Sequence, residues 1–393
     1  MRMLILFVII SLFSTSFLFA QVFPDADIEF SKEKQYQEER RQKEQREEQI
    51  TPTPDIFTPR ESLSEKIEKL NTAENFRFPE ETPCFVIREM VWEGSAALLK
   101  GDLLVWIERQ TIGQCVGAIG LQMLQSSFLQ ILMEEGFVTS RVVIPEQNLT
   151  TGQLQLQVIT GTISGITDAG KKIGTHKAVL PRRKNKTLNQ RDLDQGLENI
   201  RRLKSQQKTT LDLVPGEALG QTEIVIHHPD EKHWNGLITL DDSGLGSTGK
   251  YQLGGTLTLD SPFYAYDALS FSINHDANFA NPFGSGGKSL TYTIPWGYLL
   301  FNASFYQSNY KQTVSGFSGD IIYRGESQGA SFGGSYLLYR TSRVKGSIPL
   351  KISHQKSRSF INDVQVGVQY NNTTDYEIGF KHHQLIGPAT MEV

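Results

Sequence analysis

Cysteine is scarce, strong charge of either sign is missing, and no long apolar run follows the first twenty residues. Two cysteines occur in 393 residues, Cys84 and Cys115, and they form no paired-cysteine zinc pattern. Beyond residue 20 no segment stays apolar for the ~18 residues that a membrane-spanning helix requires. Net charge is −4 and mean hydropathy −0.31, so nothing points to a nucleic-acid partner. Catalytic signatures are missing as well: there is no Gly-x-Ser-x-Gly elbow and no phosphate loop. The glycine-rich stretches 244–249 and 284–287 read as turns between strands. In His227-His228 and His382-His383, neighbouring side chains on a strand would face opposite ways, so neither pair chelates one ion. With His233 they read as titrating surface residues. These absences argue against an enzyme and call for no cofactor and no metal.

What is present begins with an address. Met1–Ala20 has Arg2, an apolar stretch from Leu4 to Phe13, and Ala20 as the cleavage residue, the pattern of a secretory signal peptide. The alternative is an uncleaved anchor. Export places the two cysteines in an oxidising compartment, where an even pair in one domain reads as a disulfide. Closing a loop of about thirty residues contributes roughly 3–4 kcal/mol in the chain-entropy picture. Two unrelated buried thiols are the alternative.

The polar segment 21–50 follows. Glu29–Gln49 is charged and glutamine-rich, and Glu39 and Lys43 are spaced to support a helix. A helix polar all round needs a wet place to sit, such as a barrel lumen, or else is a solvated or disordered segment. Residues 51–82 are a linker that opens on the proline-rich TPTPDIFTP and includes a short amphipathic piece, Leu63–Leu70.

Residues 83–163 read as a small α+β domain in the order strand, helix, helix, strand, strand. Its elements are Phe85–Trp92, Leu103–Gln110, Val116–Glu135, Phe137–Ile144 and the alternating run around Leu154, Leu156 and Val158. In the longer helix Leu121, Leu124, Phe128 and Leu132 form one stripe, and Gly136 ends it. Residues 164–230 repeat the order more loosely. Asn189 is the N-cap of a helix through Leu193, Leu197, Ile200 and Leu203, with Leu188 and Leu193 as a hydrophobic staple.

From about Tyr251 to Val393 the chain alternates with period two in runs of about ten residues. Leu253, Leu257 and Leu259 take one side of such a run, as do Leu269, Phe271 and Ile273 of the next. A soluble sandwich would turn the apolar face inward, whereas an outer-membrane barrel turns it to lipid. Strand length near the roughly 9–11 residues of a tilted spanning strand favours the barrel. So do the export signal and aromatics near strand ends: Tyr264, Tyr266, Trp296, Tyr298, Tyr310, Tyr323 and Tyr339.

Several segments are specific enough to resemble one family. They are CFVIREMVWEG (Cys84–Gly94), LNQRDLDQGLENIRRLKSQQ (Leu188–Gln207), LDLVPGEALGQTEIVI (Leu211–Ile226), SYLLYR (Ser335–Arg340) and KHHQLIGPAT (Lys381–Thr390). They resemble the outer-membrane transporters of two-partner secretion, the haemolysin secretion/activation type of the Omp85 superfamily. The resemblance implies α+β POTRA domains followed by an antiparallel transmembrane β-barrel. It assigns 1–20 as signal, 21–50 as plug helix, 51–82 as linker, 83–163 and 164–230 as two periplasmic POTRA domains, and 231–393 as the N-terminal part of the barrel.

The same resemblance implies an unfolded exoprotein client (a haemolysin, adhesin or contact-dependent toxin) captured in the periplasm and passed through the barrel, with outer-membrane lipid as the other partner. Client contacts map to the first domain's helix and second strand: Leu132, Phe137, Val138, Val142 and Ile144. About nine strands and the start of a tenth are counted, against the family's sixteen. The family's inward loop motif and final strand are not found, which suggests a truncated product with an incomplete barrel. The rival readings are a barrel-assembly insertase of the same superfamily and a soluble secreted β-rich adhesin.

Overall fold

The computed structural model describes residues 33, 36, 37 and 40 and, from 77 onward, all but 95–97, 99–101, 183, 279–283, 317–318, 342 and 387–388. The segments read as signal peptide, as linker through residue 76 and, for the most part, as polar plug helix therefore lie outside the described residues. Glu33, Tyr36, Gln37 and Arg40 are helical, and Gln37 donates to Glu33 one turn back at 3.2 Å.

The first domain contains β1 (Phe85–Val86), β2 (Glu89–Gly94), α1 (Asp102–Thr111), β3 (Cys115–Val116), α2 (Ala118–Glu134), β4 (Arg141–Val143) and β5 (Gln153–Ile159). Its sheet order is β2-β5-β4, with β2 parallel and β4 antiparallel to β5; β1 and β3 form a separate pair. Parallel β2 and β5 require a long crossover, which the two helices supply. On β5 the alternation holds as read: Leu154, Leu156 and Val158 are buried between exposed Gln153, Gln155 and Gln157. Leu124, Phe128 and Leu132 of α2 close the core at 0 % exposure, which explains why the stripe spacing specified a helix. Gly136 ends α2 at φ +87°. Its N–H bonds to the Met133 carbonyl and the Phe137 N–H to the Leu132 carbonyl, a Schellman closure that needs a residue free to adopt positive φ. The strand read as Phe137–Ile144 is correspondingly shorter, because this turn consumes its first residues.

The second domain repeats the plan with β6 (Thr162–Ala169), α3 (His176–Val179), α4 (Gln190–Arg201), β7 (Thr210–Pro215) and β8 (Gln221–His227), in sheet order β6-β8-β7. Asn189 caps α4, its side chain accepting from the Arg191 N–H at 2.9 Å. Leu188 and Leu193 are both buried, as a staple requires.

The remaining strands make one antiparallel sheet. They are β9 (Trp234–Asp241), β10 (Gln252–Asp260), β11 (Ala268–Asp276), β12 (Gly284–Trp296), β13 (Leu299–Gly316), β14 (Gly319–Arg340), β15 (Val344–Ile361), β16 (Val364–Gln365), β17 (Asn371–Ile378), β18 (Lys381–Ile386) and β19 (Ala389–Glu392). β9 to β15 pair in sequence order. β17 and β18 both pair with β15 as one interrupted strand, and β19 adds to β18. These eleven segments occupy nine positions across the sheet.

Leu257, Phe271, Phe332 and Phe380 are exposed at 43, 45, 57 and 53 %. Stacked sheets would have hidden them, so the sandwich is excluded. The pairing aligns them into rows: Leu257 stands beside Phe271, Phe271 beside Leu290, and Leu290 beside Phe305. Such rows form the apolar band of a barrel wall. The opposite face is polar and buried at Gln252, Ser272, Ser285, Ser308, Gln312, Ser327 and Ser357. Hydroxyls bond across it, Thr256 with Ser272 at 3.0 Å and Ser304 with Ser331 at 2.8 Å. The aromatic girdle needs correction. Of the seven residues read into it, Tyr264 and Trp296 are exposed, but Tyr266, Tyr310 and Tyr323 are buried. Among the described residues no helix is long and apolar enough to cross a membrane.

Candidate client edge and the barrel junction

The first domain leaves β4 at the edge of its sheet, paired on one side only with β5. An edge strand offers main-chain groups to an incoming extended chain. α2 lies along it, and Gln125 of α2 donates to the Val142 carbonyl at 3.0 Å. One turn further on, Leu129 is 39 % exposed on the same flank of the helix. The five residues read as client contacts do not share one environment. Leu132 and Val142 are core residues at 0 and 1 % exposure. Phe137 and Ile144 are half-buried against that core, and Val138 packs instead on the core of the second domain. The sequence reading missed Gln125 and Leu129. Their signal was the i, i+4 spacing beside the buried stripe, which places them at its border.

The other end of α2 is strapped to the linker's end. Gly117, its N-cap position, supplies no capping side chain. Glu81 does so from outside the helix, accepting the Ile119 and Gly120 N–H groups at 2.7 Å each. A carboxylate suits the positive end of a helix. A Cβ at Gly117 would lie 2.6 Å from that carboxylate, so the strap depends on glycine there. Cys84 and Cys115 form the expected disulfide, with Cα atoms 5.3 Å apart, and Phe78 packs on the first core.

The second domain is joined to the sheet by a buried polar contact. Asn199 of α4 donates to the carbonyls of Val179 and Gly297 at 2.9 and 2.8 Å. Tyr298, in the turn between β12 and β13, donates to Asp192, and Arg182 pairs with the same carboxylate at 2.8 Å. Glu198 receives Arg340 at 2.8 Å and also Lys345; Arg340 reaches Gln195 at 2.9 Å. Arg202 donates to the Tyr266 carbonyl at 2.7 Å and to Thr293. Apolar contact comes from the turn between β10 and β11, which drives Tyr266 into the second core at 0 % exposure. Ser261, Tyr264 and Tyr266 of that turn hold positive φ values of 53–60°. Its Ser261 hydroxyl donates to the Ile173 carbonyl at 2.6 Å, and Thr175 N–H donates to the Tyr264 carbonyl at 3.1 Å.

Burial sets the electrostatics of this junction. It pushes the Asp192 carboxyl up to about 6, against the pull of Arg182 and Arg191. It pushes the Arg202 guanidinium down to about 10, opposed by Asp260 and Asp267. Burial also acts to raise Asp168, but hydrogen bonds from His176, His228 and Lys172 outweigh it and hold the carboxyl below its ordinary value. His228 corrects the surface reading of the histidines. Its side chain is fully buried, 2.9 Å from both Asp168 and Gln206, whereas His227 pairs with Asp212 at 2.9 Å.

Paired small α+β modules feeding a sheet with an apolar outer band define a POTRA-bearing outer-membrane β-barrel protein. Comparison with known proteins gives the family. A model of POTRA domains of the ShlB type matches residues 85–161, and a second POTRA model matches 162–215. The model of haemolysin secretion/activation proteins of the ShlB/FhaC/HecB type matches 220–393. The chain belongs to this haemolysin secretion/activation family and is an outer-membrane protein with its POTRA domains in the periplasm.

The outer membrane transporter CdiB-2 of Burkholderia pseudomallei is 29 % identical over 331 residues, which is 80 % of this chain and 56 % of that protein. The hemolysin transporter protein HpmB of Proteus mirabilis is 25 % identical over 273 residues, 70 % of this chain and 48 % of that protein. The solved structure of CdiB from Escherichia coli superposes with a TM-score of 0.73 at 23 % identity, covering 94 % of this chain and 66 % of that one. The chain spans about half the length of the curated relatives it matches.

Proposed function

We propose that this chain captures an unfolded secreted protein in the periplasm and delivers it to a barrel pore in the outer membrane. The free edge of β4 carries the reading. An extended client adds there as a further strand, its main chain bonding to β4 and alternate side chains settling beside Leu129, Phe137 and Ile144. The Gln125 bond to the Val142 carbonyl is exchanged for a client N–H, so the edge stays satisfied before and after binding. The barrel then offers a polar inner face to the passing chain. The client is a haemolysin, adhesin or contact-dependent toxin; of these, the relatives' names state only the haemolysin. Its folding outside supplies direction, since the periplasm offers no nucleotide. No chemical step is assigned to the chain, and no cofactor.

A photo-activatable residue at Arg141, exposed on β4, tests this in cells that also express a haemolysin-type exoprotein secreted in the presence of this chain. A cross-link to that exoprotein, lost when β4 is blocked by a tethered strand peptide, is the expected result. Cross-linking that is equal with and without the peptide, or absent while the exoprotein is secreted, refutes strand addition at this edge.

A further inference from the structure

The two POTRA domains meet end to end through their helices. The last carbonyls of α2 and the first N–H groups of α4 have no partners within their own helices, and here they are satisfied by residues of the junction between the two. The Gln190 N–H donates to the Gly136 carbonyl at 2.8 Å. The Arg191 guanidinium donates to the Glu134 carbonyl at 2.9 Å and lies 3.6 Å from the Glu135 carboxylate. Asn189 works in both directions. Its Oδ1 accepts the Arg191 N–H of α4 at 2.9 Å, while its Nδ2 donates to the Glu135 carbonyl at the end of α2, also at 2.9 Å.

The fit is close. Asn189 is 9 % exposed, and a Cβ at Gly136 would sit 2.5 Å from its Oδ1. The turn that leaves α2 for β4 is clamped as well: Val138 packs on the second core, and the Ser140 hydroxyl accepts the buried Gly161 N–H at 2.9 Å. Both walls of the β4 edge thus spring from a turn fixed to the second domain. That domain is itself fixed to the barrel rim further along α4, through Glu198, Asn199 and Arg202.

We propose that Asn189 is a positioning residue that caps two helices at once. It thereby holds the first POTRA domain, with its β4 edge, at one angle to the second domain and the barrel mouth. Relative motion is the ordinary expectation for neighbouring domains in one chain unless their interface is specific and well packed; the shared cap removes that freedom. The consequence for client delivery rests on the function proposed above, but the rigidity does not.

The variant that separates the two roles is Asn189→Asp. A carboxylate still caps α4, since aspartate and asparagine are equivalent N-caps. It cannot donate to the Glu135 carbonyl and sets a negative charge against the carbonyl end of α2. The measurement is a distance distribution between spin labels on Gln122→Cys and Glu217→Cys, both exposed sites, in the full chain purified from outer membranes. The native cysteines are held in their disulfide and do not react.

The expected result is one narrow distance for the parent and a distribution at least about twofold wider for Asn189→Asp, measured at a temperature where both chains are fully folded. A parent distribution that is already broad overturns the proposal whatever the variant does. So does an Asn189→Asp distribution as narrow as the parent's. If the strand-addition reading fails, Arg141 captures no exoprotein while the parent distance stays narrow, so the two failures are distinguishable.

Discussion

Removing the Glu198 carboxylate should loosen the second domain from the barrel rim by about 3–5 kcal/mol, the cost of stripping one partner from a buried ion pair. On an exposed surface the same pair would contribute about 0–1 kcal/mol. The setting decides between these values. The Glu198 and Arg340 side chains are 4 and 3 % exposed, and Lys345 is 16 % exposed. In Glu198→Ala, Arg340 keeps the neutral oxygen of Gln195 but loses the charge that offset its desolvation. Hydrogen exchange of the α4 amides reads this locally, since opening of the junction exposes them. A loss of about 3 kcal/mol accelerates exchange by a factor of about 100 when opening is the exchange route. The double variant Glu198→Met with Arg340→Met buries apolar groups of similar length and should exchange within about tenfold of the parent, because the two most deeply buried charges leave together and Lys345, at 16 % exposure, keeps access to water. Glu198→Ala exchange within about threefold of the parent would refute the reasoning. So would a double variant as fast as the single one, which would make lost packing the cause rather than an uncompensated charge.

Other perturbations have equally definite outcomes. Cys84→Ser opens a 31-residue loop and should cost about 3–4 kcal/mol under oxidising conditions; parent and variant should melt together in reductant. Tyr266→Ala leaves a cavity in the second core and should cost about 3–5 kcal/mol. Tyr266→Phe should match or exceed the parent in a urea titration, because the buried hydroxyl has no partner among the described residues. Asp192 has its folded-state pKa raised from 3.8 to about 6, so between those values the folded chain binds more protons than the unfolded one. Its contribution therefore falls as pH rises through that window, by about 3 kcal/mol in all. Asp192→Asn should flatten this part of the dependence of the melting midpoint between pH 4.5 and 7. An unchanged slope would remove Asp192 as its source.

The legible parts of the fold were those set by local period. The stripe Leu124, Phe128 and Leu132 needed only helical spacing, and Leu154, Leu156 and Val158 needed only alternation. Asn189 as an N-cap and Gly136 as a stop followed from backbone chemistry at helix ends. The outward apolar face of the sheet was legible because Leu257 and Phe271, far apart along the chain, repeat one pattern that pairing then aligns. The candidate site was less legible, because sequence shows which residues are apolar but not which neighbour takes them. Val138 sits in the same short segment as Val142, yet one packs on the second domain and the other on the first. Tyr266 carried the signature of an interfacial aromatic. A turn held by three positive φ values instead sends it into the core of another domain, and no spacing rule encodes that.

Arg340 shows why alternation alone could not have placed the junction. Along β14 the odd-numbered residues Tyr323, Gly325, Ser327, Gly329, Gly333 and Leu337 are buried, while Phe332, Tyr336 and Leu338 of the even set are exposed. Strict alternation would send Arg340 outward with Phe332, into the apolar band. The pairing with β15 breaks step at that point: Leu337 stands opposite Ser347 and Tyr339 opposite Gly346. A bulge of this kind inserts one unpaired residue and exchanges the faces beyond it. It moves the Arg340 side chain to 6 % residue exposure beside Glu198. One irregularity in the ladder thus ends the lipid-facing register and aims a cation at the α4 carboxylate. The attachment of the POTRA pair to the barrel is built by this departure from the pattern that builds the barrel wall.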